Sequence, residues 1–287
     1  MDKPLVSVIM GVYNQWDETI LLEAVNSILE QSYRFFEFII WDDGSHPDAA
    51  RNIQKLARLD KRIIIAGREE NRGLAFSLNE CIRLAQGKYI ARMDADDISL
   101  PYRLEKQVKF LEMHPEFDWC GTNVELFDEN GVWGMRPMPE IPKLEDYFRY
   151  SPYVHPSVMF RSVLFDENEG YLDSQDTLRC EDYEIFMNLS QKGLQGYNLQ
   201  EKLLKYRETR ESYKKRKVIF RINEAKIRYK NYKKIGKIFP IGWVYIMRPL
   251  IACLIPTWLL ASIKRTEGRR YMRQELQRMD FIEEAWR

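Results

Sequence analysis

The chain has 287 residues, enough for one large domain with an appendage and a sizeable hydrophobic core. Apolar residues make up 45% and charged residues 30% of it, which is typical of a folded soluble protein and argues against a disordered chain. The net charge of +1 hides a division, because acidic residues predominate up to about residue 200 and basic residues predominate in 201–237. An acidic body followed by a basic segment predicts two separate tasks.

The cysteines and the N-terminus indicate a reducing compartment. The four cysteines are far apart in the sequence, which excludes both a zinc-like spacing and a disulfide framework. We therefore expect four reduced thiols in a cytosolic protein. The first residues contain no basic region followed by an apolar one, so we expect no secretory signal.

Strands and helices alternate over the first hundred residues. Short apolar runs predict strands over 5–12, 36–41, 62–66 and 89–93. Helical periodicity predicts helices over 17–31, 48–59 and 73–86. Strands that alternate with helices of this length predict an α/β fold with a parallel, doubly wound sheet.

The pattern is mixed in the second half of the chain. Helices are predicted over 102–113 and 181–191, and a strand over 118–127. The segment 129–156 is rich in Pro, Gly and aromatic residues, and we expect irregular loops near a site there. The basic segment follows, and then a largely apolar stretch over 238–263.

Two acidic clusters follow predicted strands, Asp42-Asp43 after the second and Asp94-Ala95-Asp96-Asp97 after the fourth. Ligands of open α/β sheets bind at the carboxyl ends of the strands. Carboxylates gathered there repel one another unless a cation or hydrogen-bond donors offset their charge, and Mg²⁺ or Mn²⁺ suits oxygen ligands. Turn formation explains Asp42-Asp43 equally well, and a D-x-D triplet by itself is a weak motif.

Several short motifs occur in one order over residues 4–210. They are the run Val6–Asn14, Trp41-Asp42-Asp43-Gly44-Ser45, Asn71-Arg72-Gly73-Leu74-Ala75 with Asn79, Gly87 to Asp97, His155-Pro156-Ser157-Val158-Met159 and Glu181-Asp182-Tyr183. Together they resemble family 2 glycosyltransferases, and the first run resembles the first strand of that family. The resemblance implies a GT-A fold, with a nucleotide-binding half over 1–97 and an acceptor-binding half over 98–210.

The resemblance also assigns roles on the donor side of the site. It implies that Asp43, with Asp42 beside it, hydrogen-bonds the nucleotide base, and that Tyr13 packs near that base. Asp94 and Asp96, which flank Ala95, match the D-x-D pair near the ribose and diphosphate. Asp96 would be the direct ligand of Mn²⁺ or Mg²⁺, with Asp94 beside it. Arg72 is either a phosphate contact or a solvated charge.

On the acceptor side the resemblance makes Asp182 the general base, which takes the proton of an acceptor hydroxyl as that oxygen attacks the anomeric carbon. Position alone favours helix capping for Asp182. Glu181 and His155 match the acceptor-side motifs and would lie beside the acceptor or the donor sugar, although His155 could instead satisfy backbone groups of a loop. Tyr206-Arg207 resembles a late pair of the family near the diphosphate, but the residues after it depart from the pattern. Inversion of the anomeric configuration is implied by the family alone.

The C-terminal region, 211–287, predicts an attachment to a membrane surface through 211–265. The basic segment could be a solvated helix, a contact with anionic lipid or a nucleic-acid site. The apolar stretch that follows favours lipid over nucleic acid, but Pro240, Pro249, Pro256 and Arg248 interrupt it. We expect helices in the interface or a re-entrant element rather than a clean span, with a buried cap or a homo-oligomer contact as the alternative.

Together these features predict an inverting transferase on the inner face of the cell membrane. It would move one sugar at a time from a nucleotide-sugar, by analogy a UDP-sugar, to a glycan acceptor linked to polyprenyl diphosphate, in surface polysaccharide biosynthesis. The Gln-x-x-Arg-Trp signature of processive members is absent from the sequence. The alternatives are an inactive, membrane-bound interaction protein and, with less support, a sugar-phosphate nucleotidyltransferase, whose Gly-rich loop is missing after the first strand.

Overall fold

The computed structural model describes residues 4–167, 170–209, 211–212, 218–237 and 240–285. The first half contains four strands and three helices in alternation: β1 Val6–Val12, α1 Glu18–Leu29, β2 Phe36–Asp43, α2 Pro47–Lys55, β3 Ile63–Arg68, α3 Leu74–Leu84 and β4 Tyr89–Arg92. These strands are parallel and lie in the order β3-β2-β1-β4. The predicted parallel sheet is therefore confirmed for this half.

The second half extends the same sheet. Its elements are β5 Ile98–Ser99, α4 Arg103–Met113, β6 Trp119–Asp128, β7 Gly131–Arg136, α5 Leu144–Arg149, β8 Met159–Arg161, α6 Val163–Glu167, α7 Glu181–Gln191 and β9 Gly196–Arg207. The strand order continues from β4 through β8, β6 and β9 to β5, with β7 paired to β6. Strand β8 is antiparallel to both of its neighbours, so the sheet is mixed in this half.

The prediction of irregular loops over 129–156 was wrong in two places. Strand β7 forms a hairpin with β6, and α5 is a short helix in which the Asp146 carboxylate accepts from the backbone N–H of Lys143. Helix α5 has too few residues to show a helical period. In β7 the glycines and Trp133 obscure the alternation that a strand usually shows, although Trp133 and Met135 are buried.

Two hydrophobic cores lie on opposite faces of the sheet, because side chains of a strand alternate between its faces. Val8 and Met10 of β1 belong to the core that includes α1, and Ile9 belongs to the core that includes α3 and α7. Helix α1 begins at a cap in which the Asp17 carboxylate accepts from the N–H groups of Thr19 and Ile20. The cores fix the sheet and thereby the strand ends that carry the acidic clusters.

The described residues after the sheet include the helices α8 Val218–Lys234, α9 Ile241–Ile251 and α10 Thr257–Ala285. Tyr232 of α8 is fully buried and its hydroxyl accepts from Tyr183 of α7. Helix α10 crosses β7 where Gly268 contacts Gly134, and Arg265 pairs with Asp128. The C-terminal helices thus pack against the sheet domain. The basic segment 201–237 contains the end of β9 and a helix with a buried face, so it is not a uniformly solvated helix.

Within the described part of the chain, no single helix has the length and apolar composition needed to cross a membrane. The segments Gly242–Leu254 and Thr257–Arg278 meet those criteria only as a pair, and they are bent by 118° at the break between them.

Candidate active site

The carboxylate of Asp43, at the end of β2, holds the loop that leads into α3. Its two oxygens accept from the backbone N–H of Arg72 at 3.0 and 3.1 Å, and Oδ2 also accepts from Gly73 N at 2.6 Å and Asn71 Nδ2 at 2.8 Å. Burial raises the pKa of Asp43, and the donors of Arg72 and Gly73 act in the opposite direction. The Ser77 hydroxyl also lowers the pKa of this carboxylate, so backbone and side-chain donors together hold Asp43 in place.

Asp42 and Tyr13 lie on the two segments beside this loop. Asp42 is mostly buried, and its Oδ1 accepts from the backbone N–H of Ser45 at 3.0 Å. Ser45 in turn accepts from the N–H of Asn14, which follows Tyr13. The Tyr13 side chain is 53% exposed, so its ring is available at the end of β1. Contacts of these residues with a nucleotide base remain a prediction.

Asp94, Asp96 and Asp97 form a cluster after β4 in which their potential ligand atoms lie within 4.8 Å of one another. Asp97 is almost fully buried, its Oδ1 accepts from the backbone N–H of Arg207 at 2.7 Å, and its Oδ2 makes no hydrogen bond. Burial, followed by repulsion from Asp96 and Asp94, raises the pKa of Asp97 well above its ordinary value. Such an oxygen-rich, crowded group is suited to a hard divalent cation. Ala95 packs against the core beneath.

Arg207, at the end of β9, reaches the same cluster. Its Nε donates to the Asp96 carbonyl at 2.7 Å, and its Nη2 donates to Glu23 at 3.0 Å. Repulsion from Asp97 and Asp94 adds to burial in raising the pKa of the neighbouring Tyr206. The structure therefore brings the Tyr206-Arg207 pair to the D-x-D residues.

His155 lies behind Tyr171 on the acceptor side. It is 6% exposed, in a short 3₁₀ turn over His155–Ser157, and its Nε2 shares a hydrogen bond of 2.7 Å with the Tyr171 hydroxyl. Burial, followed by the charge of Arg92, lowers the pKa of His155 well below its usual range, so the ring is neutral. Asn79 fixes the Tyr171 backbone through two hydrogen bonds of 2.8 Å. Contact of His155 with a sugar remains a prediction.

Glu181 and Asp182 open α7, and both are partly buried. Burial, followed by the charge of Asp182, raises the pKa of Glu181 to about 7. Burial also raises the pKa of Asp182, with hydrogen bonds from the Tyr183 N–H and the Ser151 hydroxyl acting against it. The N-cap position itself is Cys180. The pair can therefore hold or release a proton near neutral pH.

Arg72 joins the two sides of the site. Its Nη2 donates to Asp173 at 2.8 Å, and its guanidinium carbon lies 4.9 Å from the centre of the Phe76 ring. Arg72 and Asp173 border a cavity of about 400 Å³ whose lining includes Asn71, Gly73 and Gln175. The guanidinium is thus held by an acidic partner and an aromatic ring, and its contact with a phosphate remains a prediction.

Three residues at the site were not assigned from the sequence: Arg92, Asp97 and Tyr171. Arg92 and Asp97 lie inside a motif that carries the resemblance. An arginine in a strand and the last of three clustered aspartates gave no signal of their own. Tyr171 lies on a loop without periodicity, and its partners His155 and Asn79 are distant in sequence.

Residues 7–167 match the protein family described as glycosyl transferase family 2. The chain is 38% identical to EpsE of Bacillus subtilis over 273 residues, which cover 95% of this chain and 96% of EpsE. The chain belongs to glycosyltransferase family 2. It is also 31% identical over 208 residues to the O-antigen biosynthesis glycosyltransferase WbnJ of Escherichia coli, with coverage of 71% of this chain and 79% of WbnJ.

Solved structures of glycosyltransferases share the fold. The mannosyltransferase PcManGT from Pyrobaculum calidifontis, in complex with GDP-Man and Mn²⁺, aligns with a TM-score of 0.61 at 17% identity over 96% of this chain and 84% of its own. S. aureus TarS 1–349 in complex with UDP-GlcNAc aligns with a TM-score of 0.59 at 18% identity, over 82% and 72% of the two chains. The fold of this family 2 glycosyltransferase is therefore GT-A, as the motifs implied.

Proposed function

We propose that this family 2 glycosyltransferase is an inverting, metal-dependent enzyme that transfers one sugar from a UDP-sugar to a hydroxyl of a lipid-linked glycan in surface polysaccharide biosynthesis. The observation that carries the proposal is that two acidic groups lie within electrostatic range of the same buried side chains, Arg92 and Tyr171. Asp94, Asp96 and Asp97 gather oxygen ligands on one side, and Glu181 with Asp182 offers proton acceptors on the other.

In the proposed reaction Asp182 accepts the proton of the acceptor hydroxyl. The hydroxyl oxygen forms a bond to the anomeric carbon while the bond from that carbon to the diphosphate breaks, and the nucleoside diphosphate leaves with the electron pair. Attack opposite the leaving group in a single displacement inverts the anomeric configuration. Burial beside Glu181 suits Asp182 to this task, since a raised pKa makes a carboxylate a stronger base near neutral pH.

The residues present fit a divalent cation, because three carboxylates converge and Asp97 Oδ2 is buried without a hydrogen bond. Asp96, with Asp94 beside it, would hold Mn²⁺ or Mg²⁺ together with diphosphate oxygens. When bound, the cation stabilises the negative charge that develops on the leaving nucleoside diphosphate. Arg207 would support the loop that carries these ligands, because its backbone N–H donates to Asp97 and its guanidinium donates to the Asp96 carbonyl.

Similar proteins support the proposed donor and product class. TarS was solved with UDP-GlcNAc and PcManGT with GDP-Man, so the family fold accepts more than one nucleotide-sugar. We favour a UDP-sugar for this chain. WbnJ belongs to O-antigen biosynthesis, and a surface polysaccharide is the corresponding product here.

The C-terminal helices supply the proposed attachment to the inner face of the cell membrane. Large apolar side chains are exposed along α9, the 3₁₀ turn after it and the start of α10: Trp243, Val244, Met247, Ile251, Leu254 and Trp258. Exposed basic residues lie nearby in sequence, at Lys233, Lys234, Lys237 and Arg248. Aromatic and aliphatic side chains flanked by cations are typical of helices that lie in an anionic bilayer interface. The same surface could instead serve a homo-oligomer, which vesicle binding distinguishes.

The test is the thermal stability of the purified protein with UDP, GDP, CDP or dTDP, each with Mn²⁺ and with chelator. A ligand that binds only the folded state raises the unfolding midpoint. We expect UDP to raise it with Mn²⁺ and to lose that effect with chelator. If no nucleotide shifts the midpoint under either condition, the metal-dependent transferase is rejected and the inactive interaction protein is favoured.

A further inference from the structure

The last residue of β4, Arg92, is fixed in place by its backbone. Its N–H donates to the Val158 carbonyl at 2.9 Å, and its own carbonyl accepts from Arg103 Nη2 at 2.7 Å. Arg103 is itself completely buried and donates through Nε to Gln107 at 3.0 Å. The position from which the Arg92 side chain extends is therefore determined by the core.

The Arg92 side chain is only 2% exposed, yet two of its three nitrogens, Nε and Nη1, lack a hydrogen bond of good geometry. Nη1 lies 2.6 Å from Asp94 Oδ1 in an ion pair, but neither Nη1 nor Nε makes a well-oriented hydrogen bond to any described residue. A buried guanidinium with unpaired donors is destabilising by itself. Because unpaired buried donors lower the stability of the fold, their presence at the edge of a site suggests that they serve the function of that site.

The guanidinium contacts one acidic group directly and acts on the other through its charge. Asp94 and Asp97 act on it from the donor side, and Arg92 in turn influences Glu181 and Asp182 on the acceptor side. Tyr171 and His155 also feel its charge. Arg92 is thus a buried cation set among carboxylates that would otherwise repel one another.

The ion pair has a direct consequence for Asp94. With Oδ1 held against Nη1, the carboxylate stays within reach of Asp96 and Asp97 despite their like charges, and Oδ2 is left for a ligand. Partners that orient the ligands of a metal typically change affinity for the metal about 10–100-fold when they are removed.

We propose that Arg92 is a positioning residue, which holds the Asp94 carboxylate in the orientation that binds the divalent cation and the donor diphosphate. This inference rests on the proposed metal-dependent reaction. It goes beyond that reaction because it makes metal binding depend on a residue outside the D-x-D pair. Arg92 acts through Asp94 and does not itself take part in proton transfer.

The test compares Arg92→Lys and Arg92→Met with wild type and with Arg228→Lys. Arg228 is a suitable control because it is also buried and ion-paired, to Glu224 at 2.9 Å in α8, away from the acidic cluster. The readouts are the Mn²⁺ concentration that gives half of the UDP-dependent thermal shift, and kcat at saturating Mn²⁺. We expect the Mn²⁺ requirement to rise about tenfold in Arg92→Lys and about 100-fold in Arg92→Met, with kcat at saturation within threefold of wild type.

A comparison of the Asp94→Asn variant with the double variant that also carries Arg92→Met tests whether Arg92 acts through Asp94. If Arg92 acts through Asp94, adding Arg92→Met to Asp94→Asn raises the Mn²⁺ requirement by less than about threefold. Equal Mn²⁺ requirements in wild type, Arg92→Lys and Arg228→Lys overturn the positioning role, as does full additivity in the double variant. If the Arg92→Met variant does not fold, the Arg92→Lys variant alone tests the positioning role, because lysine keeps the positive charge but lacks the planar guanidinium. A wild-type protein without any Mn²⁺-dependent shift instead rejects the proposed function, and the positioning role with it.

Discussion

The donor-side and acceptor-side carboxylates of the site are both crowded, but the chain offsets their charges in different ways. On the donor side, Arg92 pairs with Asp94, and the Arg207 N–H donates to Asp97. On the acceptor side, Glu181 and Asp182 are adjacent, and burial with mutual repulsion raises the pKa of Glu181 to about 7. One group gathers oxygens around fixed positive partners, and the other remains able to exchange a proton at neutral pH.

This difference matches the two substrates. A nucleotide-sugar brings a diphosphate whose charge needs a cation, whereas an acceptor hydroxyl must lose a proton as it attacks. Groups with a similar number of carboxylates can either bind a cation or accept a proton, and the surroundings of the carboxylates determine which of the two they do. Changes to the two groups should therefore have separable effects on binding and on turnover.

The largest effect is expected on the acceptor side. Asp182→Asn keeps the shape of the side chain but removes the proton acceptor, so transfer should fall about 10²–10⁴-fold. Binding of UDP with Mn²⁺ should remain within threefold of wild type, because Asp182 does not belong to the donor group. Sugar transfer and nucleotide titration measure the two quantities. Asp176→Asn, an exposed acid that pairs with Lys226, is the matched control and should retain transfer. A parallel loss of binding and transfer in Asp182→Asn would contradict the division.

An intermediate effect is expected at the C-terminal helices proposed to contact the membrane, since the acceptor but not the donor is proposed to arrive from the bilayer. Leu254 and Trp258 are 83% and 71% exposed, so Leu254→Glu with Trp258→Glu should leave the fold intact. Two acidic residues there should lower binding to anionic vesicles about tenfold or more and leave UDP binding unchanged. Leu276→Glu, at another exposed position of α10, is the control for sedimentation with vesicles. Equal vesicle binding by the double variant and this control would refute the membrane contact.

The smallest effect concerns the pH dependence of stability. Because the pKa of Glu181 is raised from 4.5 to about 7, the folded state binds more protons than the unfolded state between these values. Its contribution to the free energy of unfolding therefore falls as pH rises from about 4.5 to about 7. The Glu181→Gln variant does not lose this stability as pH rises. The thermal unfolding midpoint of the variant should therefore exceed that of wild type by a few degrees at pH 8 and by less at pH 5. Thermal unfolding at both pH values measures it, and a difference that shrinks with rising pH would show that Glu181 is not the group concerned.

The donor side was largely predictable from the sequence. Strands β1 to β4 are short, apolar and separated by helices with clear periodicity, so their carboxyl ends and the acidic residues after them could be placed at one edge. The spacing of Asp94 and Asp96 then determined most of their geometry. Their partner Arg92 was not predictable in that role, because a charged residue at the end of a strand gives no indication that it is buried.

The acceptor side depends on contacts that local sequence does not encode. Tyr171 reaches His155 only because Asn79, on α3, holds its backbone. The C-terminal region was obscured for another reason. Arg228, Asn231 and Tyr232 are buried on one face of α8, so polar residues occupy the positions where a helical pattern normally shows apolar ones. That face resembled solvated surface until the packing was known.

The central claim, that the donor-side cluster binds the nucleotide through a divalent cation, is tested most directly by Asp96→Ala. The thermal midpoint of wild type, Asp96→Ala and the exposed control Asp48→Ala would be measured with UDP and Mn²⁺, and again with chelator. We predict a rise in wild type and Asp48→Ala that chelator abolishes, and no rise in Asp96→Ala. A Mn²⁺-dependent rise of equal size in Asp96→Ala would contradict the account.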